Sequence, residues 1–171
     1  MILGFKTKTD DGKPTLFPEK VLQCLMSQVW IKVVDWHEIM KDSPYGQMAV
    51  GTFTPKLHSM REGIHDRWKP GVMIDFYTGV RTKKAYRFAP RVPVVSVQKV
   101  EIKQVDVLEI GFGYLDTDGR VLTVEVDGKI LSVNKIRKLS YNDGFMSLHE
   151  FFGWFQDGWK GKIIHWTNLR Y

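Results

Sequence analysis

Hydrophobic positions repeat at a helical spacing near the N-terminus, at a period of two through the middle of the chain, and at a helical spacing again before the end. After the Asp10-Asp11-Gly12 turn and Pro14, the run FPEKVLQCLMSQVW puts Pro18 and Glu19 in a first helical turn. Val21, Leu22, Leu25, Met26 and Val29 then recur on one face, which predicts an amphipathic helix. The continuation WIKVVDWHEIM suits either a longer helix or a buried strand, up to the break at Ser43-Pro44-Tyr45-Gly46. From residue 72 the segments VMIDFYT, VPVVSVQKVEI, VLEIGFGYL, RVLTVEV and KILSV predict antiparallel strands, with Asp118-Gly119 and Asp127-Gly128 turns between the last three. So many short strands favour a small barrel or half-barrel that covers its own edges. Ser147 and Glu150 stand three apart ahead of the stripe Leu148, Phe151, Phe152 and Phe155, the pattern of a capped helix, and KIIHWT predicts a closing strand.

Length and charge narrow the picture. The chain of 171 residues, 43% hydrophobic, suits one domain over residues 1–171, and 25 basic against 19 acidic residues give a net charge of +6 that favours anionic partners. A single cysteine, Cys24, excludes an intramolecular disulfide and a zinc ribbon and fits a reducing cytoplasm. The N-terminal apolar run is too short for a signal peptide, and no window approaches eighteen apolar residues, so a cytoplasmic protein without a membrane partner is expected.

Motifs exclude several chemistries. There is no phosphate-binding G-x-x-x-x-G-K-[ST] loop, the GFG at 111–113 lies within a strand pattern, and no G-x-S-x-G elbow accompanies a serine. No cofactor is expected. The histidines fit no metal motif; a site of His58, Glu62 and His65 competes with the plainer reading of polar loop residues. Asp116, Asp118 and Gly119 resemble the start of a calcium loop, but without a closing carboxylate they read as a hairpin turn.

Two stretches carry candidate binding chemistry. Residues 78–91 hold Arg81, Lys83, Lys84 and Arg87 without an acid among them, interleaved with Tyr86 and Phe88, which is the mixture of phosphate-pairing cations and stacking rings used on single strands. KIRK at 135–138 extends the basic character. The stretch PKLHSMREGIHDRWKPG, residues 55–71, reads as the rim of a recognition cleft that includes His58, Arg67, Trp68 and Lys69. In a short strand there, Ser59 and Arg61 would share a face, while Lys56 falls on the other parity and needs a turn or bulge to come round.

Lys56-x-x-Ser59-x-Arg61-Glu62, followed by Trp68-Lys69-Pro70-Gly71 and a strand, resembles the signature of ASCH domains, members of the PUA-like superfamily. Pro14-Thr15 before the first helix, Asn142-Asp143-Gly144-Phe145 and the closing IIHWTNLRY resemble further parts of small ASCH-like proteins from bacterial and phage genomes. Residues 23–53 exceed the family's short turn and read as an insertion, a lid or partner surface carrying Trp30, Trp36 and Met40; Val72 replaces the family's usual aspartate. The resemblance implies an α+β fold, a PUA-like small antiparallel β-barrel flanked by helices, with a cleft that accepts RNA or a nucleotide and is served by Arg61 and Glu62. It also implies an alternative, an amidohydrolase acting on acylated cytidine, with Lys56 as the lysine, Ser59 at the threonine position and the acid at or beside Asp143. A phage-type protein-interaction module is the third expectation.

Overall fold

Alternation along residues 96–105 shows why the middle of the chain forms a sheet: Ser96, Gln98, Val100 and Ile102 are buried while Lys99 and Lys103 face solvent. The computed structural model describes residues 1–28, 30–31, 41, 43–45, 53–63, 66–105 and 113–171. In chain order its elements are β1 (Ile2–Phe5), α1 (Phe17–Ser27), β2 (His58–Glu62), β3 (Met73–Thr78), β4 (Tyr86–Arg87), β5 (Val92–Pro93) and β6 (Ser96–Val105). There follow β7 (Tyr114–Leu115), β8 (Val121–Val126), β9 (Lys129–Ile130), α2 (Val133–Asn142), α3 (Leu148–Trp154) and β10 (Lys160–His165).

These elements make an α+β fold with two sheets. The larger runs β2-β10-β6-β8-β7, with β9 beside β8, and every pair in it is antiparallel. The smaller runs β1-β3-β4, with β5 also on β3, and its β1–β3 pair is parallel, Ile2 opposite Asp75 and Phe5 opposite Thr78. No closed barrel forms among the described residues. Both sheets contribute to one core, in which the buried Trp166 ring meets Phe76 edge-on at 5.3 Å and its Nε1–H donates to Cys24 Sγ at 3.4 Å. Burial pushes the Cys24 thiol up to about 11, so this cysteine is a packed, unreactive group.

Three local differences from the sequence reading have simple causes. The segment KILSV is a strand only over Lys129–Ile130, and Val133 already opens α2, whose buried face is limited to Ile136, Leu139 and Ser140. The KIRK cations therefore lie on a helix, with Lys135, Arg137 and Lys138 exposed around Ile136. The N-terminal ILGF is a strand, β1, formed by pairing with β3 far along the chain. Of the 23–53 segment, residues 23–27 continue α1. Tyr45 donates to Thr78 Oγ1 at 2.9 Å and packs on Phe88. Trp36 and Met40 lie outside the described residues, as does most of the strand expected at 107–115.

At α3 the capping pattern forms with one residue of slip. Ser147 Oγ accepts the Glu150 N–H at 3.1 Å, while the Glu150 carboxylate accepts the Met146 N–H at 2.8 Å rather than that of Ser147. Ser147→Ala is expected to lower folding stability by about 1 kcal/mol, measured by urea unfolding; an unchanged midpoint would show that the cap contributes nothing.

Candidate functional site

Residues 55–63 pass between both long helices and then join the larger sheet, and this path decides which side chains meet. The Lys56 N–H donates to the Lys20 carbonyl of α1 at 3.0 Å and the Leu57 N–H to the Asn142 carbonyl of α2 at 2.7 Å. Lys56 therefore precedes β2 instead of lying in it, and its side chain reaches Asp143 at the end of α2. Its Nζ donates to Asp143 Oδ1 at 2.8 Å and also to the Asp143 carbonyl, and it lies 4.6 Å from the centre of the Phe17 ring. The same Oδ1 accepts the Met60 N–H at 3.1 Å. Gly144, with φ at +93°, follows the pair, and a Cβ there would come within 3.2 Å of Phe17 and 3.4 Å of the Lys56 stem.

This ion pair is enclosed: Lys56 and Asp143 are each 2% exposed. Burial lowers the Lys56 amine from its ordinary value, with Asp143 opposing the shift. For Asp143 burial acts upward, but the charge of Lys56, its hydrogen bond and the neighbouring His58 outweigh it and hold the carboxyl below its ordinary value.

A histidine network continues inward from the pair. His58 Nδ1 lies 3.3 Å from Asp143 Oδ1, out of line for a formed hydrogen bond, and its Nε2 is 2.7 Å from the Tyr171 hydroxyl, which accepts Asn142 Nδ2–H at 2.9 Å. A neutral His58 with its proton on Nδ1, facing the carboxylate, and Nε2 accepting the Tyr171 proton suits these contacts. The His165 ring lies tilted against it with ring centres 5.2 Å apart, and both of its nitrogens are buried without a hydrogen-bond partner among the described residues. Burial pushes the His165 imidazole down to about 3.

Ser59 is buried, and strand alternation turns it to the opposite face of β2 from His58, the side it shares with Arg61. Of the proposed catalytic trio Lys56 and Asp143 bond each other, and among the described residues Ser59 bonds neither. Arg61 lies above the Phe5 ring at 5.0 Å and its Nη2–H donates to the Gly4 carbonyl at 2.5 Å, tying β2 to β1.

A second constellation surrounds that arginine. A hollow of about 280 Å³ between β1 and β2 is lined by Arg61, Glu62, Arg67, Trp68, Lys162 and the backbone of β1. Arg67 and Glu62 are exposed, and Trp68 is 9% exposed. Lys162 bonds Asp66 at its edge. Trp68 and Lys162 also border a wider hollow of about 850 Å³ over the larger sheet, where Lys99 and Lys160 alternate with Glu101, Glu125 and Asp127. Lys69 is exposed and lines neither hollow; its carbonyl accepts Val72 N–H in the turn after Trp68.

The basic stretch lies across β1 from this hollow. Arg81, Lys83 and Lys84 are exposed in the loop between β3 and β4, where Val80 sits against Gly4, the residue that also borders the Arg61 hollow. Arg87 is half exposed, 3.9 Å from Asp75, and Tyr86 is partly buried beside Tyr45. Phe88, 1% exposed, belongs to the core. For the conceivable metal site, His58 is buried, Glu62 is exposed and His65 lies outside the described residues; among those described, no group of three metal-ligating side chains comes together.

Sequence reading missed Lys162, Gln98, His165 and Tyr171. The tail IIHWTNLRY contains the last two, but a polar residue within an apolar run gives no sign of which partners the sheet brings to it. Gln98 Oε1 accepts the Tyr171 N–H at 3.0 Å, a link between residues 73 positions apart. No helix among the described residues is long and apolar enough to cross a membrane. The chain matches no family model, no curated protein and no solved structure.

Proposed function

We propose that the chain is a divergent ASCH/PUA-like domain that binds RNA or a nucleotide in the hollow between β1 and β2. The observation that carries this reading is the meeting of Arg61, Arg67 and Trp68 around one concave site. Guanidinium groups pair with phosphate oxygens through two parallel hydrogen bonds, and an indole offers a stacking face to a base. The exposed cations Arg81, Lys83 and Lys84 beyond β1 extend the positive surface along which a strand would run.

Fluorescence anisotropy with labelled single-stranded RNA at low salt tests the proposal. Binding should weaken steeply with salt, and Arg67→Ala, at an exposed position, should reduce affinity about tenfold, the worth of one charge-assisted contact. Absence of binding to RNA, single-stranded DNA and nucleotides at low salt would overturn it.

The amidohydrolase reading keeps one favourable observation, the acidified Lys56 amine next to Asp143. The enclosure of that pair and the position of Ser59 on the other face of β2 place it second.

A further inference from the structure

A separate cavity of about 510 Å³ lies between the start of α1 and α3, within the size range of pockets that hold small organic ligands. Its walls are aromatic: Phe17 and Phe145 meet edge-on at 5.6 Å, Trp154 packs on both, and Phe53 adds a fourth ring. One cation reaches into it from α1. Lys20 lines the cavity although only 4% exposed, and its Nζ makes one hydrogen bond, to the Gly144 carbonyl at 2.5 Å.

An ammonium carries three protons, and among the described residues two on Lys20 have no acceptor and no carboxylate lies within ion-pair distance. A buried charge in this condition gains from an anion brought in by a ligand. The rim sets the charge of that anion. Asp11 and Glu150 stand there, Asp11 already paired with Lys13 at 2.8 Å, so a doubly charged phosphate meets about twice the repulsion that a singly charged carboxylate does. Aromatic walls select a flat apolar body.

We propose that this cavity binds a small aromatic monocarboxylic acid, with the ring between Phe17, Phe145 and Trp154 and the carboxylate on Lys20. The site is separate from the hollow around Arg61, and neither proposal depends on the other.

Isothermal titration calorimetry and thermal unfolding of the whole chain with phenylacetate and indole-3-acetate, against the matching neutral amides, test it. The acids should give saturable heats and a rise in Tm, and the amides should bind at least about tenfold more weakly for loss of the charged contact. Lys20→Met should unfold cooperatively yet lose about tenfold or more in affinity for the acids. Should that variant fail to fold, Met146→Glu decides instead: Met146 is 64% exposed at the cavity mouth, and a third acid there should weaken the acids but not the amides. Arg67→Ala should bind the acids as the unaltered chain does. No binding of either acid at millimolar concentration, equal binding of acids and amides, or a folded Lys20→Met that binds the acids unchanged would overturn the proposal.

Discussion

Replacing Asp143 by alanine is expected to cost about 3–5 kcal/mol of folding stability, the range found when one member of a buried ion pair is removed. The cause is what remains behind. Lys56, 2% exposed, would keep an ammonium whose carboxylate partner has gone, and the Met60 N–H would lose its acceptor in the same step. The loss should also be felt at a distance, because the Lys56 and Leu57 amides join the segment before β2 to α1 and α2. Lys56→Met/Asp143→Leu should lie much closer to the unaltered chain than Asp143→Ala does, since two apolar groups of similar size leave no charge stranded. Urea unfolding of the variants measures this. If Asp143→Ala loses under about 1 kcal/mol, the pair does not hold β2 against the helices, and the acidified amine would then argue for the amidohydrolase reading.

The periodic elements were legible because their patterns arise from burial on one face. The stripe of α1 and the alternation of β6 and β8 mark the faces that the core covers. Helix α2 escaped because its buried face holds two apolar residues and a serine, and strand β1 because its four residues depend on a parallel partner more than sixty positions away. At the site, spacing alone made the parity conflict between Lys56 and Ser59 visible; β2 begins after Lys56, whose side chain goes to Asp143 and not to Ser59. The resemblance to the ASCH signature led to Lys56 with Asp143, whose 87-residue separation no local pattern encodes. Arg61, Glu62, Arg67 and Trp68 come together from within eight consecutive positions; the cations that join them from other strands, such as Lys162, depend on sheet order, which periodicity does not determine.

Sheet order also creates the feature that should govern behaviour in acid. Lowering the pH from 7 to 4 is expected to remove about 3 kcal/mol of stability through His165 alone, and about 10 °C of Tm. Burial holds this imidazole down to about 3, against an ordinary value of 6.5, so the native state keeps it neutral where the unfolded chain takes up a proton. The unfolded state then binds more protons throughout that interval, and stability falls as pH falls from 6.5 towards 3. The surrounding groups supply no remedy: His58 and Arg170 oppose a charge on His165, Asp143 favours one but is engaged by Lys56, and burial of the Tyr171 phenol keeps it protonated. His58, also lowered by burial, deepens the loss. His165→Leu removes two ring nitrogens that have no hydrogen-bond partner among the described residues, so it should change stability little at pH 7 and flatten the pH dependence between 6 and 4. Urea unfolding at a series of pH values measures both curves. Parallel curves for the two chains would show that His165 takes up its proton as readily in the folded state as in the unfolded chain, so that burial does not hold it neutral.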